Sequence, residues 1–280
     1  MMVTRFIGAS WEGKLGGLLN LNHPASVKAG LKDRQESIQI YSYLIDHPVH
    51  GSYFVDSGIS HAVRSDPLGF LGFPLNLFVR TEKLKFSETT AEILERHAKH
   101  KSLRGVFLTH MHMDHLLGMP DFSSDIPIFV GAGELATSSF KNRIFRSVID
   151  KLLVGKAPLR ELGFRVVSAS MGAEVIDYFG DGSFFIVPAP GHTAGSLVFV
   201  AATPQGPVLL TGDSCHTSFG WRNGVEPGSY SESQQENAEV LQYLKSLSAR
   251  HPSMTVYLGH QDLKTDVDGN NNNEAGSSPQ

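Results

Sequence analysis

The sequence predicts an α/β fold in which two β-sheets are covered by helices. Three observations carry that expectation. Short runs rich in Val, Ile, Phe and Tyr recur before, between and after helical patterns, and many stop at a glycine or proline turn. The 280 residues are 41% hydrophobic and 19% charged, a balance that can bury the core such layers need. No linker-like stretch divides the chain, so residues 1–265 read as one domain.

Each element has its own signal. Residues 38–45 alternate and carry Ile38, Ile40, Tyr41, Tyr43 and Ile45, which predicts a strand. Residues 53–55 are its hairpin partner and end at Asp56-Ser57-Gly58. Residues 61–80 are broken by Pro67, Gly69, Gly72 and Pro74, yet run from Leu68 to Phe78 with little polarity. They predict an irregular segment packed on the core, or a lid or wall for an apolar substrate. A helix is expected over 87–100, capped by Ser87, with Ile93, Leu94 and Ala98 on its apolar face. Strands follow at 104–108 and 126–130, and 131–153 is mainly helical. Further strands are expected at 164–168, 174–179, 183–187, 196–201 and 208–210, with Gly180-Asp181-Gly182 as a hairpin turn. Residues 231–250 form a long helix with Ala238, Leu241, Leu244 and Leu247 on one side, and 255–258 is the last strand. Residues 266–280, with Asn270 to Asn273 in a row, are too polar to order themselves and read as a disordered tail.

Bulk properties exclude some partners. A net charge of -4 gives no electrostatic reason to expect nucleic acid. No stretch reaches the roughly 20 apolar residues a membrane span needs. Arg5, Glu12 and Lys14 interrupt the start, so no signal peptide is expected. Cys215 is the one cysteine, so no intramolecular disulfide can form, and a cytoplasmic protein with a small-molecule substrate is expected. The oligomeric state stays open, a homodimer included.

Chemistry concentrates in His110-Met111-His112-Met113-Asp114-His115, four metal-ligand side chains within six residues after a strand. Three further segments repeat the pattern of strand, small-residue turn, ligand. They are Pro190-Gly191-His192, Thr211-Gly212-Asp213 and Gly259-His260. Imidazole and carboxylate suit zinc and related divalent ions. Asp56, at a strand end, is either a plain turn residue or a partner that orients a ligand histidine. Cys215, beside Asp213, reads as a small buried residue more than as a reactive thiol. His23, His47, His50, His61, His97, His100 and His251 lack partner spacing and are expected at the surface.

This ordered set resembles the metallo-β-lactamase superfamily over roughly residues 38–262. The resemblance implies an αββα four-layer sandwich, two mixed β-sheets flanked by helices, with the site at one edge between them. It implies that His110, His112 and His192 hold one metal ion, that Asp114, His115 and His260 hold a second, and that Asp213 bridges both. Two divalent ions follow, zinc first, with Mn, Fe or Co accepted by the same ligands. A hydroxide bridging them would attack a small ester-like substrate, and Asp114 would relay a proton to the leaving group. Within the superfamily the chain resembles the N-acyl homoserine lactone lactonases most, so a lactone is the expected substrate. Those enzymes usually carry tyrosine three residues after the bridging aspartate. Here that position is His216, a catalytic candidate whose imidazole can hydrogen-bond a substrate carbonyl or act as acid or base. Thioester or phosphodiester hydrolysis, and a mononuclear iron oxygenase on the same scaffold, stay open as alternatives.

Overall fold

The computed structural model describes residues 1–72, 80–97, 102–136, 140–163 and 175–264. In chain order the elements are β1 (Met2–Lys14), α1 (Leu15–Leu18), α2 (Pro24–Lys28), β2 (Gln35–His47), β3 (Gly51–Val55), α3 (His61–Ser65), α4 (Pro67–Leu71) and β4 (Lys85–Phe86). Then come α5 (Thr90–His97), β5 (Leu103–Phe107), α6 (Met113–Leu116), β6 (Ile128–Gly131), α7 (Phe140–Leu152), β7 (Leu159–Leu162) and β8 (Ile176–Asp177). The remainder is β9 (Phe184–Pro188), β10 (Leu197–Thr203), β11 (Gly206–Leu210), α8 (Ser218–Asn223), α9 (Gln234–Arg250) and β12 (Thr255–Tyr257).

Among the described residues these strands form two sheets, ordered β4-β1-β2-β3-β5-β6-β7 and β12-β11-β10-β9-β8. Both are mixed. In the first, β1, β2 and β3 are antiparallel neighbours, while β3, β5, β6 and β7 run parallel. In the second, β8 to β11 alternate in direction and β12 runs parallel to β11.

Strand alternation builds the layers. In β2, Tyr41, Tyr43 and Ile45 face the second sheet, while Ile38, Ile40 and Leu44 face the opposite side. Phe107 of β5 meets Phe184 and Phe199 of the second sheet, with ring centroids 5.5 and 5.7 Å apart. Their neighbours Val106 and Val198 point outward, under helices. Val148, Ile149 and Leu152 of α7 cover the first sheet; Leu241, Leu244 and Leu247 of α9 cover the second. The result is the four-layer sandwich with two mixed sheets that the sequence predicted.

Some elements differ from expectation. Strand β1 was not expected; it pairs along β2 from Met2 opposite Asp46 to Lys14 opposite Gln35, with a bulge between Ile7 and Ala9. Helix α5 starts at Thr90 rather than after Ser87. The Thr89 side chain accepts from the Glu92 amide at 3.3 Å while the Glu92 carboxylate accepts from the Thr89 amide at 2.7 Å, a reciprocal cap. Residues 61–72, expected to be irregular, contain two one-turn helices capped by Ser60 and Asp66. In α9, Asn237 takes a fully buried position while Ala238 is only half-buried. Strand β7 was not expected. The expected strand at 164–168, the far part of the apolar stretch (73–79) and the polar tail (265–280) lie outside the described residues. Among the described residues no helix is long and apolar enough to cross a membrane.

Candidate metal centre

β3, β5, β9, β11 and β12 all end at the same rim of the sandwich. Their directions follow from the parallel pairings of β3 with β5 and β11 with β12, and from the antiparallel β10 between β9 and β11. At this rim the Leu197 amide donates to the Thr109 carbonyl at 2.7 Å, a backbone bond that ties one sheet to the other. Asp56 follows β3 with φ 55, an unusual conformation for a residue other than glycine. Thr109, His110 and His112 follow β5, and α6 carries Asp114 and His115. His192 sits between β9 and β10, Asp213 follows β11, and His260 follows β12. Gly259 is required by close packing, because a Cβ there would collide with Asp213 Oδ1.

The seven expected ligands converge on two points. His110, His112, His192 and Asp213 each bring one donor atom to within 4.8 Å of the others, and Asp114, His115, Asp213 and His260 do the same. Asp213 belongs to both groups. Its Oδ2 lies 3.6 Å from His110 Nε2, 3.4 Å from His115 Nε2, 3.4 Å from His192 Nε2 and 3.2 Å from His260 Nε2. Asp114 Oδ2 is 3.3 Å from His260 Nε2. Asp114 is also the opener of the two carboxylates, with 21% of its side chain exposed against 4% for Asp213. His216 falls in neither group, but its Nε2 is 3.0 Å from Asp213 Oδ2.

A backing layer fixes how the rings face. Asp56 Oδ2 lies 2.8 Å from His115 Nδ1. The other Asp56 oxygen, Oδ1, accepts from the Thr109 amide at 2.8 Å. The Thr109 hydroxyl donates to Asp56 and stands 3.0 Å from His110 Nδ1. Ser231 donates to Asn237 Oδ1 at 2.9 Å, leaving its oxygen to accept from His192 Nδ1 at 3.2 Å. His260 Nδ1 meets the Gln39 carbonyl at 2.9 Å. With each Nδ1 proton so engaged, the Nε2 lone pairs point into the centre, the orientation a metal ion needs.

Electrostatics agree with a cation. Burial, reinforced by neighbouring histidines, holds His110 and His192 well below the ordinary histidine range, and burial brings His112 to about 4, so these rings are neutral donors. For His260, burial is outweighed by Asp213 and Asp114, which raise it to about 9. For His115, burial is likewise outweighed, by Asp56, Asp213 and Asp114. Burial would raise Asp213, but His260, His216 and His115 hold it well below the usual carboxylate range. His110 Nε2, His115 Nε2 and Asp213 Oδ1 are buried without hydrogen-bond partners. Orphaned buried polar atoms are costly, and a pair of divalent ions accepting their lone pairs fits this donor set.

Sequence reasoning missed Glu134. It is 4% exposed and follows β6. Its Oε1 accepts from the Met111 amide at 2.7 Å; its Oε2 accepts from the Thr193 hydroxyl at 2.7 Å and the Gly195 amide at 3.0 Å. One carboxylate thus clamps the loop of His110 and His112 to the loop of His192. Burial pushes its carboxyl up, and these three bonds oppose that. A lone glutamate in a turn has no spacing signal. Thr109 was also missed, although its place directly before His110 could have marked it.

His47 corrects another expectation, being buried and not at the surface. Its Nδ1 accepts from the Val49 and His50 amides at 3.1 and 3.0 Å, and its Nε2 lies 3.0 Å from Asp181 Oδ2. Both nitrogens are spent on hydrogen bonds, so this ring joins two hairpins and leaves no lone pair for an ion. Cys215 packs among the apolar residues under α9, and burial pushes its thiol up to about 12.

Comparison with known proteins agrees with this geometry. Residues 38–260 match the Metallo-beta-lactamase superfamily. The chain is 26% identical over 216 residues to the metallo-hydrolase mfmC of Annulohypoxylon moriforme, a match covering 74% of this chain and 52%, about half, of that relative. It is 24% identical over 231 residues to the N-acyl homoserine lactonase AttM of Azorhizobium caulinodans, covering 80% of this chain and 82% of AttM. A crystal structure of a B. thuringiensis AiiA variant with N-decanoyl-L-homoserine bound superposes with a TM-score of 0.66 at 16% identity, over 92% of each chain. On the family match and the two-sheet fold, this chain belongs to the metallo-β-lactamase superfamily.

Proposed function

We propose that the chain is a dinuclear metal-dependent hydrolase of small ester-like substrates, a lactone first among them. The observation that carries this is Asp213, a buried carboxylate shared by two complete donor sets. His110, His112 and His192 would hold one ion and Asp114, His115 and His260 the other, with zinc the first choice for nitrogen and oxygen donors. Such ions supply Lewis acidity toward a carbonyl oxygen and a water acidified to near neutrality.

The protein's own groups orient and transfer. Asp56, Thr109 and Ser231 hold the rings in one tautomer, so no reorganisation is needed when substrate arrives. Asp114, the more exposed of the two carboxylates, would hand a proton to the departing alkoxide. Support for a lactone comes from the likeness to AttM along most of both chains.

The test is metal analysis of the purified protein with a panel of N-acyl homoserine lactones, other lactones, thioesters and phosphodiesters. Lactone opening should vanish on chelation and return with zinc. Full turnover after dialysis against excess chelator would overturn the reading. Oxygen uptake with a persulfide by protein holding one iron would replace it with the oxygenase alternative.

A further inference from the structure

His216 lies outside both donor groups, yet its ring faces the carboxylate they share. Its Nδ1 lies 2.9 Å from the Leu18 carbonyl, which only accepts, so Nδ1 carries a proton and Nε2 is the atom turned toward the centre. Nε2 is buried without a hydrogen-bond partner and lies 3.0 Å from Asp213 Oδ2. At that distance a proton or a metal cation must lie between the two atoms, and because the approach does not meet hydrogen-bond geometry, the metal cation fits better.

Its surroundings match those of the other donors. His260 is anchored through Nδ1 on a backbone carbonyl at the same 2.9 Å, and His115 through Nδ1 on Asp56. His216 lies between the two donor sets, stacked 5.4 Å from His260 and edge-on 5.0 Å from His192. Its carbonyl accepts from the His260 amide at 3.2 Å, which fixes the backbone. The ring is 1% exposed, as enclosed as His110 and His192. An acid or base that meets substrate needs access, which Asp114 has and His216 lacks.

We propose that His216 is an eighth protein ligand, donating through Nε2 to the metal centre that the Asp213 donor groups would hold. The proposal rests on the dinuclear reading above. An added imidazole shifts the centre toward zinc and cobalt and away from manganese, which prefers oxygen donors.

The experiment compares wild type with His216→Ala for bound metal, for zinc affinity by competition with a chromophoric chelator, and for the visible spectrum of the cobalt-loaded protein. We expect His216→Ala to bind one of its two ions at least tenfold more weakly, to change the cobalt spectrum, and to regain it with added imidazole. Two ions held within twofold of wild-type affinity, with an unchanged cobalt spectrum, would overturn the proposal and leave the dinuclear reading standing. Wild type that binds fewer than two ions would overturn both. Should the variant fail to fold, proton NMR of cobalt-loaded wild type decides. Each Nε2-bound ring then shows a shifted, exchangeable Nδ1 proton. A His216 signal beside those of His110, His115, His192 and His260 supports the proposal, and its absence overturns it.

Discussion

Glu134 offers the sharpest test of how the centre is braced. Replacing it with alanine removes the acceptor for the Met111 and Gly195 amides and for the Thr193 hydroxyl. Thr193 has a substitute, since its oxygen is 2.8 Å from Ser196 Oγ. The two amides have none among these contacts, and an unsatisfied buried donor costs about 1–3 kcal/mol. The Gly195 amide carries that cost in full and the half-exposed Met111 amide only part of it, so Glu134→Ala should lower stability by about 1–4 kcal/mol. Glu134→Gln keeps one oxygen. Its amide nitrogen is best tolerated against the half-exposed Met111, so the loss should be about 1–2 kcal/mol. The measurement is urea unfolding of metal-free protein, because bound ions would add their own linkage to the midpoint. In the loaded protein the same variants should release metal to a chelator faster, Ala more than Gln. Glu134 is no clamp if Glu134→Ala stays within about 0.5 kcal/mol of wild type, the spread of an ordinary surface change, and releases metal at the wild-type rate.

Asp56→Asn tests the backing of His115. Asparagine tolerates the positive φ of this position, but its amide faces the Nδ1 proton of His115, and metal affinity should fall about 10–100-fold by equilibrium chelator competition. Cys215, with its thiol pushed up to about 12, should resist disulfide reagents at pH 8 in the native protein and react once urea unfolds it. Because its folded value exceeds its ordinary 9.0, its contribution to stability is complete below pH 9 and is lost as pH rises toward 12, which denaturation midpoints across that window would record. Gly131→Ala places a Cβ against the Gly195 carbonyl and should cost about 3 kcal/mol or more in urea unfolding.

The sandwich was legible in sequence where strands are buried on both faces. Residues such as Val106, Phe107 and Leu108 give an unbroken apolar run because one neighbour faces each core. β1 was not legible. Gly8, Gly13 and the charges of Arg5, Glu12 and Lys14 dilute its pattern, and its order comes from pairing with β2 far along the chain. The seven candidate ligands were readable because each sits beside a turn at a strand end, where a rigid scaffold positions functional side chains. Glu134 and Ser231 were not, since their meaning lies in partners distant in sequence: Thr193 and Gly195 for one, His192 for the other. His216 could be seen as a departure from the lactonase pattern, but its tautomer depends on the Leu18 carbonyl, which only the fold supplies.

The backbone bond from Leu197 to Thr109 joins sheets built from opposite halves of the chain. Donors before and after that seam meet only once the layers have docked in register, so both donor groups are complete only in the docked sandwich. Cations that draw on donors from both sheets would therefore bind the docked sandwich and stabilise it over any misdocked arrangement.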